Sequence, residues 1–144
     1  MILIDANLLL YAYDSASPHH QPAKEWLEAT LSSPQPVRLA WVSILAFLRV
    51  GTHPQMRREP LLMPQAVSFV LEWLARPNVE AVGPGDRHME ILGDLLAESQ
   101  SRGPLVMDAH LAALALEHGA TLCTNDRDFS RFAGLRVLYP LSGK

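Results

Sequence analysis

A chain of 144 residues, 49% of them hydrophobic, has the length of one ordinary domain and can bury a core without staples. A formal net charge of −3 excludes a globally basic surface, so any nucleic-acid contact has to be local. The single cysteine, Cys123, excludes an intramolecular disulfide, and Asp5 breaks the opening Met1-Ile2-Leu3-Ile4 too early for a secretion signal or membrane span. The expectation is a soluble, cytoplasmic protein with no membrane partner, in one domain over residues 1–144.

Residues 1–4 form an aliphatic run that stops at Asp-Ala-Asn, a buried strand feeding a helix. From Ala23, the positions Ala23, Trp26, Leu27, Thr30 and Leu31 share one helical face, with Pro22 suited to the first turn. Pro34 and Pro36 end that helix. Residues 37–41 read as a second strand and residues 43–50 as an apolar helix closed by Gly51, His53 and Pro54. Residues 54–64 form a loop too short to separate two cores. Met63, Ala66, Val67, Val70, Leu71 and Leu74 repeat at helical spacing, and Pro77-Asn78 turns the chain into a strand at residues 79–82.

Asp86 reads as the N-cap of a helix reaching Gln100. Residues 106–118 form an alanine- and leucine-rich helix ended by Gly119. Residues 121–124 and 136–138 complete the strands. Short strands alternating with helices predict right-handed crossovers and an α/β fold: a three-layer α/β/α sandwich around a mainly parallel sheet of about five strands. Ligands in such sheets gather beyond the carboxyl ends of strands. Asp5 ends the first strand and Asp126 follows the fourth.

These aspartates stand where an ionised carboxylate is costly. Asp5 follows Ile-Leu-Ile, Asp108 follows Leu-Val-Met, and Asp126 and Asp128 bracket Arg127 after Ala-Thr-Leu-Cys-Thr. A charge taken out of water costs several kcal/mol unless paired or bound to metal. Two carboxylates about 4 Å apart at an effective dielectric of 20 repel by roughly 4 kcal/mol. A hard cation removes that repulsion. Mg2+ or Mn2+ suits oxygen ligands, polarises a phosphoryl oxygen and acidifies an attacking water, so phosphodiester hydrolysis needs no protein nucleophile. Taken singly, each aspartate also fits a helix cap; the three together point to metal held by Asp5, Asp108 and Asp126.

Three segments resemble the PIN-domain ribonucleases, and within them the toxin halves of bacterial toxin–antitoxin pairs of the VapC type. Ile-Asp-Ala-Asn-Leu-Leu-Leu-Tyr-Ala, residues 4–12, is similar to the family's first acidic motif, which implies that Asp5 binds metal and that Asn7 orients it. Asp-Ala-His-Leu-Ala-Ala-Leu-Ala, residues 108–115, resembles the third. Gly-Ala-Thr-Leu-Cys-Thr-Asn-Asp-Arg-Asp-Phe, residues 119–129, resembles the last, implying Asp126 as ligand and Asp128 as an auxiliary acid. The resemblance spans nearly the whole chain. It implies cleavage of RNA, often a structured RNA such as tRNA, homodimerisation, and an antitoxin whose C-terminal segment lies in the active-site groove. In Leu-Ala-Phe-Leu-Arg, residues 45–49, Ala46 stands where most members carry a glutamate. Asp94 and Glu98, on a later helix, are candidates to compensate, and Arg49 is a candidate phosphate or antitoxin contact.

The remaining signals are structural. His19 and His20 read as a solvated loop, His110 points away from Asp108, and His118 suits a helix C-terminus. Trp26, Trp41 and Trp73 read as core residues, and Thr124 as a strand-end threonine needing no further role, although it could position water or a carboxylate. Ten of the twelve basic residues are arginine. The two lysines, Lys24 and Lys144, are poorly placed beside a phosphoryl group, which sets aside a phosphotransfer enzyme that attacks through its first aspartate. A module that binds RNA or an antitoxin without cutting stays open because of Ala46.

Overall fold

The opening strand buries side chains on both of its faces, Leu3 on one and Ile4 on the other, and this sets the architecture. In the computed structural model, which describes residues 1–142, the strands are β1 (Ile2–Ile4), β2 (Val37–Ala40), β3 (Val79–Val82), β4 (Thr121–Cys123) and β5 (Val137–Leu138). They form one sheet in the order β3-β2-β1-β4-β5. All pairings are parallel, with Ile2 opposite both Val37 and Thr121, Val37 opposite Val79, and Leu122 opposite Val137. Parallel neighbours require crossovers. These use α1 (Ala6–Ala12), α2 (His20–Leu31), α3 (Trp41–Gly51), α4 (Met63–Leu74), α5 (His88–Ser99) and α6 (Leu105–His118).

Successive strand residues point to opposite faces, and the core divides accordingly. Ile4, Val37, Leu39 and Cys123 pack with Leu8, Leu27, Phe47 and Trp73 from α1 to α4. Leu3, Ala40 and Leu122 pack with Leu95, Ala112 and Leu114 from α5 and α6. This is the expected three-layer sandwich. Burial pushes the Cys123 thiol up to about 12, so it packs rather than reacts. The sheet grows from β1 through β2 to β3, then resumes beyond β1 with β4 and β5. The reversal brings the carboxyl ends of β1 and β4 side by side.

Several element ends differ from the sequence expectation. β2 stops at Ala40, whose extended backbone precedes α3, so Trp41 opens a helix and is 52% exposed rather than a core residue. Trp26 is half-buried; Trp73 is 2% exposed and its Nε1 donates to the Tyr13 hydroxyl at 2.9 Å. His20 opens α2 instead of lying in a loop, its Nδ1 3.0 Å from the Tyr11 carbonyl. Asp86 caps nothing. Helix α5 starts at His88, and the carboxylate accepting from the preceding loop is Glu117, at 2.9 Å from the Gly85 N–H and 3.0 Å from that of Arg87.

Helix α6 begins at Leu105, which puts Asp108 inside its first turn rather than at its cap. Gly119 ends it at φ +69°, a left-handed conformation that favours glycine. The loop after α3 is fastened by buried Arg57, whose Nη2 donates to the Tyr13 carbonyl at 2.7 Å and whose Nε is 3.5 Å from Asp14. Among the described residues no helix is long and apolar enough to cross a membrane. Lys144 lies outside them.

Candidate functional site

The end of β1 delivers Asp5 to the reversal of the sheet. Its N–H donates to the Cys123 carbonyl at 2.9 Å, so the backbone is tied to β4 before the side chain is placed. One carboxylate oxygen accepts from the Ala6 N–H at 2.7 Å, capping α1. The other accepts from the Thr124 hydroxyl at 2.7 Å. Thr124 is fully buried, and its oxygen also accepts from the Asp126 N–H at 3.0 Å and the Asn7 side-chain amide at 3.3 Å. One donor and two acceptor positions exhaust a hydroxyl's capacity. Asn7 in turn accepts from the Asn125 N–H at 3.4 Å.

Asp126 leads into a short 3-10 helix, Arg127–Arg131, and one of its oxygens accepts from the Asp128 N–H at 2.9 Å. Phe129, buried against Phe132, anchors this turn. Asp108 projects from the first turn of α6 and is half-buried. Burial raises its carboxyl above the ordinary value, and the charges of Asp126, Asp5 and Asp128 raise it further, against a smaller opposing effect of Arg131. Asp5 is also raised, chiefly by burial, with the Thr124 and Ala6 hydrogen bonds opposing and Asp126 adding to the rise. The four aspartates from three separate segments therefore act on one another.

Asp94 and Glu98 do not join them. Both are exposed on α5, and neither is among the charges acting on Asp5 or Asp108. His110 turns away from Asp108, as its spacing requires, and its Nδ1 lies 3.0 Å from Nε2 of buried His88. His118 reaches the Gly83 carbonyl at 2.9 Å from the last turn of α6. Ala46 lies on α3 beside exposed Arg49.

The donor set is oxygen-only and short of positive charge, which suits a hard divalent cation. Among the described residues no three acidic, histidine or cysteine side chains are drawn together into a ready ligand cage. Thr124, which binds Asp5 and the Asp126 N–H, and Arg131, whose charge acts on Asp108, join the site although neither stands out as a ligand in the sequence. A signal for Thr124 was available: a threonine two residues before an aspartate can accept that residue's N–H in a local turn.

The PIN domain family model matches residues 2–135. The chain is 44% identical over 136 residues to Ribonuclease VapC37 of Mycobacterium tuberculosis, covering 94% of each protein. Its fold is similar to that of FitAB bound to an IR36 DNA fragment, with a TM-score of 0.75 at 18% identity, covering 100% of this chain and 98% of that one. It is also similar to VapBC2 from Rickettsia felis bound to a promoter DNA fragment, with a TM-score of 0.68 at 22% identity over 96% of this chain and 98% of the other. The acidic motifs, the doubly wound sheet that gathers them and a relative this similar over nearly its full length lead to one assignment: the chain belongs to the PIN-domain family, alongside the VapC ribonucleases.

Proposed function

We propose that this protein is an endoribonuclease, the toxin half of a type II toxin–antitoxin pair, which hydrolyses RNA phosphodiester bonds with Mg2+ or Mn2+ held by Asp5, Asp108 and Asp126. The observation that carries the reading is the convergence of acids from β1, α6 and the turn after β4 at the reversal of the sheet, where Asp5 and Asp108 are raised first by burial and further by neighbouring carboxylates. Such an arrangement is unfavourable until a cation enters. The 44% identity to a protein named Ribonuclease VapC37 supports RNA as the substrate. The resemblance of the acidic motifs to the VapC toxins supports an antitoxin protein and a second copy of the chain as partners, with structured RNA such as tRNA as a candidate target.

Each residue has a distinct part. Thr124 and Asn7 hold the loops after β1 and β4 in register, so Asp5 meets its neighbours in a fixed orientation. Asp126 keeps one oxygen free of the turn it caps. Among the described residues Asp108 has no protein donor on its carboxylate, which leaves its oxygens available to a cation. Asp128 contributes further negative charge at the rim. When bound, a divalent cation neutralises these acids and polarises a phosphoryl oxygen.

Ala46 favours a second reading, a module that binds RNA or an antitoxin with little or no cleavage. Incubating the purified protein with total RNA in Mg2+, Mn2+ or EDTA distinguishes the two. The expected result is cleavage with either cation, lost in EDTA and in Asp5→Asn or Asp108→Asn proteins that keep the wild-type circular dichroism. Undiminished cutting by those variants would discard the site. Binding without cutting by the wild type would favour the second reading.

A further inference from the structure

The 3-10 turn that follows Asp126 carries an arginine at each end, and the two are held differently. Arg127 opens the turn and leaves the site: its guanidinium lies over the Tyr139 ring, 3.9 Å from the centroid, and donates to the Ser142 hydroxyl. Arg131 closes the turn. Its Nε donates to the Asp128 carbonyl at 3.2 Å, which fixes the fork, and the buried rings of Phe129 and Phe132 anchor the backbone around it. Arg131 is exposed and joins no ion pair among the described residues, although its charge acts on Asp108 of α6. A cation therefore stands beside the acids without being paired to any of them.

We propose that Arg131 grips the phosphate that is cut, its two terminal nitrogens donating to the non-bridging oxygens while the carboxylates hold the cation. The inference rests on the nuclease reading. Even with a divalent cation bound, Asp5, Asp108, Asp126 and Asp128 leave excess negative charge where an anionic phosphodiester has to enter, and a local positive group offsets it. Nε is used on Asp128, and the remaining N–H groups of a guanidinium have the geometry that binds two phosphate oxygens at once. During hydrolysis a water oxygen bonds to phosphorus, the bond from phosphorus to a ribose oxygen breaks, and that oxygen takes up the proton the water loses. Negative charge grows on the non-bridging oxygens in between, so a donor held beside them stabilises the transition state more than it stabilises bound RNA. Arg127 cannot substitute, because its guanidinium is committed to Tyr139 and Ser142.

Steady-state cleavage of one defined single-stranded RNA in Mn2+ tests the grip. Arg131→Gln should lower kcat about 100-fold with little change in KM. Arg131→Lys, which keeps the charge without the fork, should recover part of the loss, and Arg127→Gln, on the same turn, should cleave like the wild type. Calorimetry with Mn2+ separates the grip from a metal defect: Arg131→Gln should bind the ion at least as tightly as the wild type, because a nearby positive charge has been removed. Anisotropy of the same RNA, labelled, in Ca2+ and with its integrity confirmed on a gel, gives a readout independent of cutting. Arg131→Gln should make the slope of log affinity against log salt shallower by about 0.7, the loss of one phosphate contact to a single strand. Melting curves verify the fold of each variant.

An unchanged kcat in Arg131→Gln would overturn the proposal, as would a loss matched by Arg127→Gln or accompanied by weaker Mn2+ binding. An unaltered salt slope overturns it whether or not the wild type cuts, and with a kcat loss would make Arg131 a residue that only shapes the turn. The two readings fail separately. A wild type that cuts no RNA in Mn2+, with a salt slope that Arg131→Gln still reduces, removes the nuclease reading and keeps the phosphate contact; cutting that Arg131→Gln leaves intact does the reverse.

Discussion

Helix α6 carries a carboxylate near each end, and the two are in opposite circumstances. Glu117, in the last turn, accepts from the Gly85 and Arg87 N–H groups and lies 3.5 Å from His88 Nδ1. Its carboxyl is held below the ordinary value, first by the Gly85 bond. The fit is close enough that a Cβ on Gly85 would lie 2.5 Å from a Glu117 oxygen. Asp108, in the first turn, has no such donors and is raised by burial and three like charges. The helix dipole favours an acid at that end but does not cancel the other three. A charge whose hydrogen bonds are complete organises the fold; a charge left uncompensated is available to a ligand.

The sharpest way to break this comparison is to neutralise each acid. Asp108→Asn should reduce RNA cleavage by at least about 100-fold, while in metal-free buffer it melts at or above the wild-type temperature. A lower melting temperature would mean that Asp108 has a structural partner after all. Next comes the hydroxyl that holds the site together. Thr124→Val should cost about 10–100-fold in cleavage, and Thr124→Ser should restore most of it, because serine keeps the donor to Asp5 and the acceptor for the Asp126 N–H. Steady-state cleavage of one defined RNA checks both.

The opposite shifts also predict opposite dependences on pH, readable by urea unfolding of the metal-free protein across the acidic range. Raised carboxyls on Asp5 and Asp108 keep protons in the folded state that the unfolded chain has already lost. Stability from this source therefore falls as pH rises from the ordinary carboxylate value through the raised one. For Glu117 the sign reverses: its contribution is full above the ordinary value and disappears as pH falls through the depressed one. Asp108→Asn should flatten the first limb and Glu117→Gln the second. The smallest effect belongs to Glu117→Gln at neutral pH. It should lose about 1 kcal/mol of stability, comparable to a lost helix cap, with cleavage per folded molecule unchanged.

The contrast also explains what could be read from the sequence. Ile-Leu-Ile before Asp5, the turn residues between elements and Gly119 after α6 are local signals, and they located the strands, the helices and the acids at their ends. The acidic motifs identified the family because each lies within a short run. The interactions missed were long-range. Asp86 looked like a cap because the acceptor used, Glu117, is 30 residues from Arg87 in the chain. Thr124 looked dispensable because its main partner, Asp5, is 119 positions away. Trp41 looked buried because it continues a strand pattern, whereas the chain turns into α3 at that residue and leaves the indole facing water.

Calorimetric titration of Mn2+ into the metal-free protein, beside the same titration of Asp108→Asn, most directly tests whether repulsion among these acids becomes affinity for a cation. The wild type should bind and melt at a higher temperature when loaded, and Asp108→Asn should bind at least about tenfold more weakly despite an intact fold. Equal binding by the two proteins, or none by the wild type, would contradict the account.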